Sequence, residues 1–303
     1  MNDLRQTTPP GDGADAHWVA GEDAARCSLW WTNAPLYSGH RLGVIGHYAA
    51  RDDAAAGQLL THACRELAAR GCTLAVGPMD GNTWRRYRLV TERGSEPPFF
   101  LEPDNPDAWP GQFAAQGFTP LAQYYSALNT DLSRQAERVA ERWRYLELLG
   151  VRIRPFAMDR FEEELRAIYR VSVVALTQNF LYTPISEAEF VAQYQKVRPF
   201  LRSDLILMAE REGRLLGYMF TLPNVAEKPV RTVILKTVVV LPERASAGLG
   251  AVLVDRAQQV ARELGYTRAI HALMHETNRS RNISRHTATV FRRYTLFAKP
   301  LTP

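Results

Sequence analysis

Cysteine is scarce in this chain. There are three in 303 residues, Cys27, Cys64 and Cys72, all in the first quarter. An odd number without paired spacing argues against a disulfide framework and against a cysteine zinc site. All three read as reduced, mostly buried thiols. Long apolar runs are missing too, since none approaches the roughly 20 residues that a membrane helix needs. No membrane partner is expected. Residues 1–22 lack the apolar core of a secretory signal, so they read as a flexible tail and the expected compartment is the cytoplasm. No Lys/Arg block marks a nucleic-acid arm. The formal net charge of +5 is mild and suits an anionic small molecule at least as well as nucleic acid, so no nucleic-acid partner is expected. Metal-ligand spacing is also absent. His271 and His275 lie four residues apart in a strand-like run, about 13 Å in extended chain, which is too far to share one ion. They read as core or pocket-wall residues, and no metal is expected.

Apolar residues make up 46% and charged residues 23%, enough for real cores, and the length suits two domains. Val151–Phe156 alternates as a strand. Asp159 and Glu162 resemble a capping box before a helix carrying Phe161, Leu165 and Ile168. Ser186 and Glu189 open a second helix. Leu205–Ala209 and Leu215–Phe220 flank the turn at 211–213 as a hairpin. Val230–Leu241 is a β-branched strand stopped by Pro242. Gly248–Leu264 is an amphipathic helix stopped by Gly265. Thr267–Glu276 is a strand, and Arg292–Phe297 is the last. The order β-α-α-β-β-β-α-β and then β places a βαβ unit in a mostly antiparallel sheet, an α/β (α+β) fold with a mixed, twisted sheet flanked by helices.

The first half repeats part of this order. Arg41–Ala49 is a strand, Ala54–Arg70 a helix and Thr73–Gly77 a strand. An offset of 194 residues pairs Leu59 with Leu253, Ala63 with Ala257 and Gly71 with Gly265, the pattern of an internal duplication. The expected division is a tail at 1–22, a first domain at 23–130, a joining helix at 131–150 whose charges form a solvated face, and a second domain at 151–303.

The most informative run is 238–251: Val238, Val239, Val240, Leu241, Pro242, Glu243, Arg244, Ala245, Ser246, Ala247, Gly248, Leu249, Gly250 and Ala251. A β-branched strand ends in V-x-P and passes through a G-x-G loop into an amphipathic helix. Glycines there let backbone approach phosphate oxygens, and helix N-terminal amides point at them. A dinucleotide fingerprint fails because its third glycine falls at Leu253, and a P-loop fails for want of G-K-[ST].

This run resembles the coenzyme A loop of the GNAT superfamily of N-acetyltransferases. One departure stands out: the family's Arg or Gln three residues after the proline is Ala245, with Arg244 one step early. The resemblance implies two GNAT-like domains and acetyl-CoA or another acyl-CoA as co-substrate. Its cofactor-binding residues would be Val238, Val239, Val240, Arg244, Ser246, Ala247, Gly248, Leu249, Gly250, Ala251, Asn278 and Arg281. It implies direct attack of a primary amine on the thioester, the acceptor being a small-molecule or peptide-like amine. A backbone N–H near Val239 or Val240, beside a bulge, would hold the oxyanion. Arg281 and Arg285 replace the family's Ala and Tyr, so the usual general acid is missing; Tyr294 is the candidate substitute and Glu276 the candidate base. Asn179, Phe180 and Tyr182 are expected to bind the acceptor.

The first half resembles the family more faintly, through 113–118 and Tyr124-Tyr125, and looks short of the leading strand and helices. Its loop reads Asp52-Asp53-Ala54-Ala55-Ala56-Gly57, with two aspartates that repel a pyrophosphate, so it is expected to be a degenerate half. A non-catalytic acyl-CoA sensor and a tRNA-dependent aminoacyl transferase of the tandem-GNAT kind are the alternatives.

Overall fold

The computed structural model describes residues 4–133, 137–277 and 287–302. The first half contains β1 (Leu4–Thr7), β2 (Ala16–Ala20), β3 (Ala25–Trp30), β4 (Leu36–Tyr37), β5 (His40–Ala50), α1 (Asp53–Ala69), β6 (Leu74–Gly77), β7 (Leu89–Glu92), α2 (Ala108–Ala115) and β8 (Thr119–Asn129). After α3 (Glu137–Leu148) come β9 (Arg152–Pro155), α4 (Phe161–Ala175), α5 (Glu187–Gln195), β10 (Ile206–Arg211), β11 (Arg214–Pro223), β12 (Thr232–Val240), α6 (Leu249–Glu263), β13 (Arg268–His275) and β14 (Thr289–Pro300).

The expected mixed, mostly antiparallel sheet flanked by helices is present. Its strands run in the order β1-β2-β3-β5-β6-β14-β8-β13-β12-β11-β10-β9. Each half contributes one parallel pair, β5 with β6 and β12 with β13. The helix between them returns the chain to the same sheet edge, as a βαβ crossover must. One expectation is corrected at the start of the chain. Residues 4–22 are not a tail: β1 and β2 form a hairpin onto β3, with Ala16, Val19 and Ala20 buried. The first half therefore has leading strands; the helices corresponding to α4 and α5 are missing from it among the described residues.

Helix boundaries follow local chemistry. Ser186 caps α5 by accepting from the amide of Glu189 at 3.1 Å, a contact worth about 1 kcal/mol. The capping box read at Asp159 does not form. A short 3-10 turn at Met158–Arg160 precedes α4, and Arg160 takes the cap position without a side-chain bond. Helix α4 buries Phe161, Leu165, Ile168 and Val171 on one face of the second half. Helix α6 buries Leu249, Val252, Leu253, Ala257 and Ala261 on the other, together with Leu146 of α3. Helices α1 and α2 cover one face of the first half.

The two halves exchange their last strands. β8, from the first half, lies against β13 of the second. β14, from the second half, lies against β6 of the first. The two exchanged strands pair with each other from Thr289↔Leu128 to Ala298↔Thr119. Division by sequence at 131–150 is thus not a division of the sheet. Residues 1–130 alone would leave β6 without its neighbour, and 131–303 alone would leave β13 unpaired along one edge.

Expressed separately, residues 1–130 and 131–303 should each lack a cooperative melting transition, and should regain one when mixed. The intact chain should melt in a single transition. Scanning calorimetry on the three samples decides this; a native-like transition from either fragment alone would sink the expectation.

Candidate active site

β12 and β13 pair only from Thr232↔Arg268 to Leu235↔His271. Beyond that point β12 continues to Val240 and β13 to His275 without pairing to each other, so the strands splay and leave a wedge with an unpaired edge on each side. A bulge forms where the splay starts. Phe220 faces Thr237 and Thr221 faces Leu235, so Lys236 is the extra residue. The bulge expected near Val239 and Val240 is therefore three to four residues earlier; those valines pair regularly with Tyr218 and Gly217. A bulge re-aims side chains and frees backbone groups, and here it does so at the apex of the wedge.

The glycine loop lies at the open end. Arg244–Ser246 make one 3-10 turn, Gly248 takes a left-handed conformation (φ 80°), and α6 begins at Leu249. The first amides of α6 have no intrahelical acceptor. Gly248 earns its place through its backbone angle. Gly250 does not: its φ is not left-handed, and an added Cβ would meet only Val240 Cγ2 at 3.7 Å and Val238 Cγ2 at 4.0 Å. The fold tolerates a side chain at 250, so its smallness serves something outside the fold. Ser246 is buried with an unpartnered hydroxyl oxygen, while Arg244 and Ala247 are exposed.

Sequence reasoning missed Arg142. Helix α3 packs along α6, and Arg142 Nε donates to the Ala247 carbonyl at 2.6 Å. Its guanidinium lies over the Tyr145 ring, 4.7 Å from the ring centroid. This puts a cation beside the loop in addition to Arg244, where position 245 carries none. The only available signal was that vacancy; nothing in the α3 sequence says which face meets α6.

The inner end of the wedge is polar and crowded. His275 Nδ1 accepts from the Thr277 amide at 3.1 Å, so in the neutral ring the hydrogen sits on Nε2, which is buried and has no partner among the described residues. Burial, then the charge of Arg88, holds its pKa below the ordinary value. Its ring touches Tyr124 at 4.8 Å and Phe180 at 5.4 Å. Thus Phe180 does reach the wedge. Tyr182 lies behind it against Trp84 at 6.0 Å, its buried hydroxyl unpartnered, and Asn179 is exposed.

Two expected catalytic groups are committed elsewhere. Tyr294 is fully buried. Its hydroxyl donates to Glu102 and meets Ser126 Oγ at 3.0 Å, while Ser126 Oγ accepts from the Leu273 amide at 3.1 Å. Burial pushes the phenol well above its usual range. It props the β13–β8–β14 junction instead of facing the wedge. Glu276 is ion-paired with Arg293 at 3.1 Å on the surface. Asn278, Arg281 and Arg285 lie outside the described residues. Among the described residues no group of three His, Cys, Asp or Glu side chains could hold a metal, and no helix is long and apolar enough to cross a membrane.

The first half repeats the splay but not the loop. β5 and β6 pair only from Leu42↔Leu74 to Val44↔Val76. A cleft of about 430 Å³ follows, lined by His17, His47 and Asp80 among others. At the start of α1, however, the Asp52 carboxylate accepts from the Ala55 amide at 2.8 Å. The helix end is thus already capped by the chain's own anion.

Residues 166–286 match the acetyltransferase (GNAT) family. The chain is 29% identical over 187 residues to the bacterial ceramide synthase of Caulobacter vibrioides (strain NA1000 / CB15N), a match covering 61% of this chain and 48% of the relative. It therefore spans about half the length of that relative. Among solved structures, a GCN5-related N-acetyltransferase from Sphaerobacter thermophilus superposes with a TM-score of 0.53 at 15% identity, over 96% of this chain and 82% of that one. A tandem GNAT protein from the clavulanic acid biosynthesis pathway gives 0.52 at 13%, over 97% and 85%. These two likenesses concern the fold.

His271 supplies a test of the buried wall of the wedge. Burial holds it down to about 4, from 6.5. Between these values the unfolded chain binds a proton that the folded protein refuses. Stability is therefore full above about pH 6.5 and falls as pH drops toward 4, by up to roughly 3 kcal/mol from this residue. Urea unfolding across that window should show the loss, and His271→Asn should reduce it. An unchanged acid slope in the variant would rule out this assignment.

Proposed function

We propose, on the match of residues 166–286 to the acetyltransferase (GNAT) family, that the second half of the chain is an acyl-CoA-dependent N-acyltransferase and that its first half binds no coenzyme A. Acyl transfer is the chemistry of the matched family. The observation that carries the finer reading is the pairing of a wedge between β12 and β13 with a glycine loop at its mouth.

In this reading the coenzyme A pyrophosphate lies on the amides of Leu249, Gly250 and Ala251, where a helix N-terminus favours an anion. Gly250 leaves room for it, Ser246 offers its unpartnered hydroxyl, and Arg142 supplies the charge that position 245 lacks. The pantetheine arm enters between Val238–Val240 and the free edge of β13, pairing with strand edges as an added strand would. The thioester then reaches the bulge at Lys236. His275, neutral and with its hydrogen on Nε2, donates toward the carbonyl oxygen, as a neutral imidazole can. The acceptor amine enters past Phe180 and Tyr182, attacks the thioester carbon, and the C–S bond breaks.

The acceptor is a primary amine. The relative's name adds a specific class to try. A ceramide is the amide of a fatty acid with a long-chain amino alcohol, so long-chain amino alcohols belong beside small amines and peptide N-termini. In the first half Asp52 occupies the anion position itself, and Asp53 follows it.

Calorimetry with coenzyme A should give one site per chain. Gly250→Val should abolish binding while the melting temperature moves only by the few degrees of a modest local change. Gly57→Val, whose Cβ would meet only the end of the Gln116 side chain at 3.1 Å, should bind as wild type does. Wild-type affinity in Gly250→Val would end the assignment, and equal loss in both variants would move the site to the first half. Thiol release from acyl-CoA with the amine panel separates an enzyme from a sensor, which binds and releases nothing.

A further inference from the structure

The chain has 37 basic residues, of which only four are lysine: Lys196, Lys228, Lys236 and Lys299. Arginine is used everywhere else. One of the four stands at the bulge where the wedge opens. Arginine stays charged at any working pH, whereas a lysine amine can be made neutral by its surroundings.

The surroundings of Lys236 act in that direction. Its side chain makes no hydrogen bond or ion pair with any described residue, although it is partly buried. Two charged groups act on it, Arg88 and Glu102, both from the first half. Glu102 is neutralised elsewhere: it pairs with Arg292 at 2.7 Å, both side chains being almost fully buried, and it also accepts from Tyr294. Arg88 is not so neutralised. It is buried, its guanidinium lies over the rings of Tyr87 at 4.1 Å and Tyr124 at 4.2 Å, and its Nε is unpartnered. His275 also feels Arg88 and is held neutral. Burial first, and Arg88 second, bring Lys236 down to about 8. Among the described residues no carboxylate forms an ion pair with it, and Glu102 acts on it only as the lesser, opposing influence. Glu276, the acid read from the sequence as the base, is held at the surface by Arg293.

We propose that Lys236 is the general base of the acyl transfer: its neutral amine takes the proton that the acceptor nitrogen releases on attacking the thioester. The N–C bond forms and the C–S bond breaks. The proton moves from the acceptor nitrogen to Nζ of Lys236 and then to the departing thiolate, so the amine returns to its neutral form and coenzyme A leaves as the thiol. This rests on the acyl-CoA reading above. It also gives the first half a task, since Arg88 adds to burial in holding the Lys236 pKa down.

Two measurements on the full chain test it. In the first, acetic anhydride labels the four lysines over a range of pH, with mass spectrometry reading each site, in the presence and absence of coenzyme A. Lys236 should become reactive around pH 8, against about 10.4 for an ordinary lysine, and saturating coenzyme A should slow its labelling by about tenfold or more while Lys196 and Lys228 are unaffected. Labelling of Lys236 in step with the others, or no protection in a sample shown by calorimetry to hold coenzyme A, overturns the proposal. If coenzyme A does not bind at all, the acyl-CoA reading fails instead. In the second, thiol release is followed with the best amine of the panel. Wild-type kcat/KM should rise with pH through about 8 and level off. Lys236→Met and Lys236→Arg should lower kcat on the order of 100-fold or more, lose that rise, and keep wild-type affinity for coenzyme A. Glu276→Gln should keep the wild-type profile. A Lys236 variant that folds and retains both the rate and the pH profile overturns the proposal.

Discussion

The backbone ladder between β8 and β14 is the interaction on which the rest of the structure depends. Each of these strands ends one half of the chain and completes the sheet of the other, and the two pair along almost their whole length. Beneath the ladder lies a buried ion pair, Arg292 with Glu102, whose carboxylate also receives the Tyr294 hydroxyl. Removing one partner of such a pair leaves a bare charge out of water and costs on the order of 3–5 kcal/mol. The bridge from Tyr294 through Ser126 reaches the Leu273 amide, on a residue held at a φ of 59°. The seam between the halves thereby fixes the far wall of the wedge, and the strand carrying His275 is positioned by the exchange.

Much of this was legible in the sequence wherever local chemistry decides. Ser186 with Glu189, the amphipathic runs of α4 and α6, the stop at Gly265 and the G-x-G loop all depend on neighbours in the chain. The duplication showed for the same reason, because helix-strand order survives even where Ala54 and Ala56 have replaced the loop glycines. Long-range pairing left no such trace. Nothing in Thr119–Asn129 says that it pairs with β13 instead of β6, since an alternating strand reads the same beside either neighbour. The first 22 residues misled through composition: a short polar strand such as Leu4–Thr7 gains its order from β2, not from its own apolar content.

The site divides along the same line. The glycine loop proposed to hold the co-substrate was readable as a motif because it lies in backbone and spacing. The groups at the apex were not. Lys236 sits in a run of valines, where it reads as one polar break in a strand; only the register with Phe220 and Thr221 makes it a bulge, and its burial, with Arg88 148 positions earlier, lowers its pKa. Tyr294 and Glu276 looked available because sequence shows residue type and not commitment. One is buried against Glu102 and the other is held by Arg293.

The exchange of last strands has a consequence for synthesis. A ribosome delivers the chain from its N-terminus, and a domain that is complete in itself can fold while the remainder is still being made. This first half cannot. On one side the neighbour of β6 is residues 289–300, more than 200 positions downstream, so its sheet stays open on that edge until that strand has emerged. Folding of the first half waits for that strand, and any product truncated before it leaves an unpaired edge where a chaperone or protease can find it. The same topology binds the halves in evolution. The half without a phosphate loop cannot be deleted, because it holds one wall of the other half's wedge together.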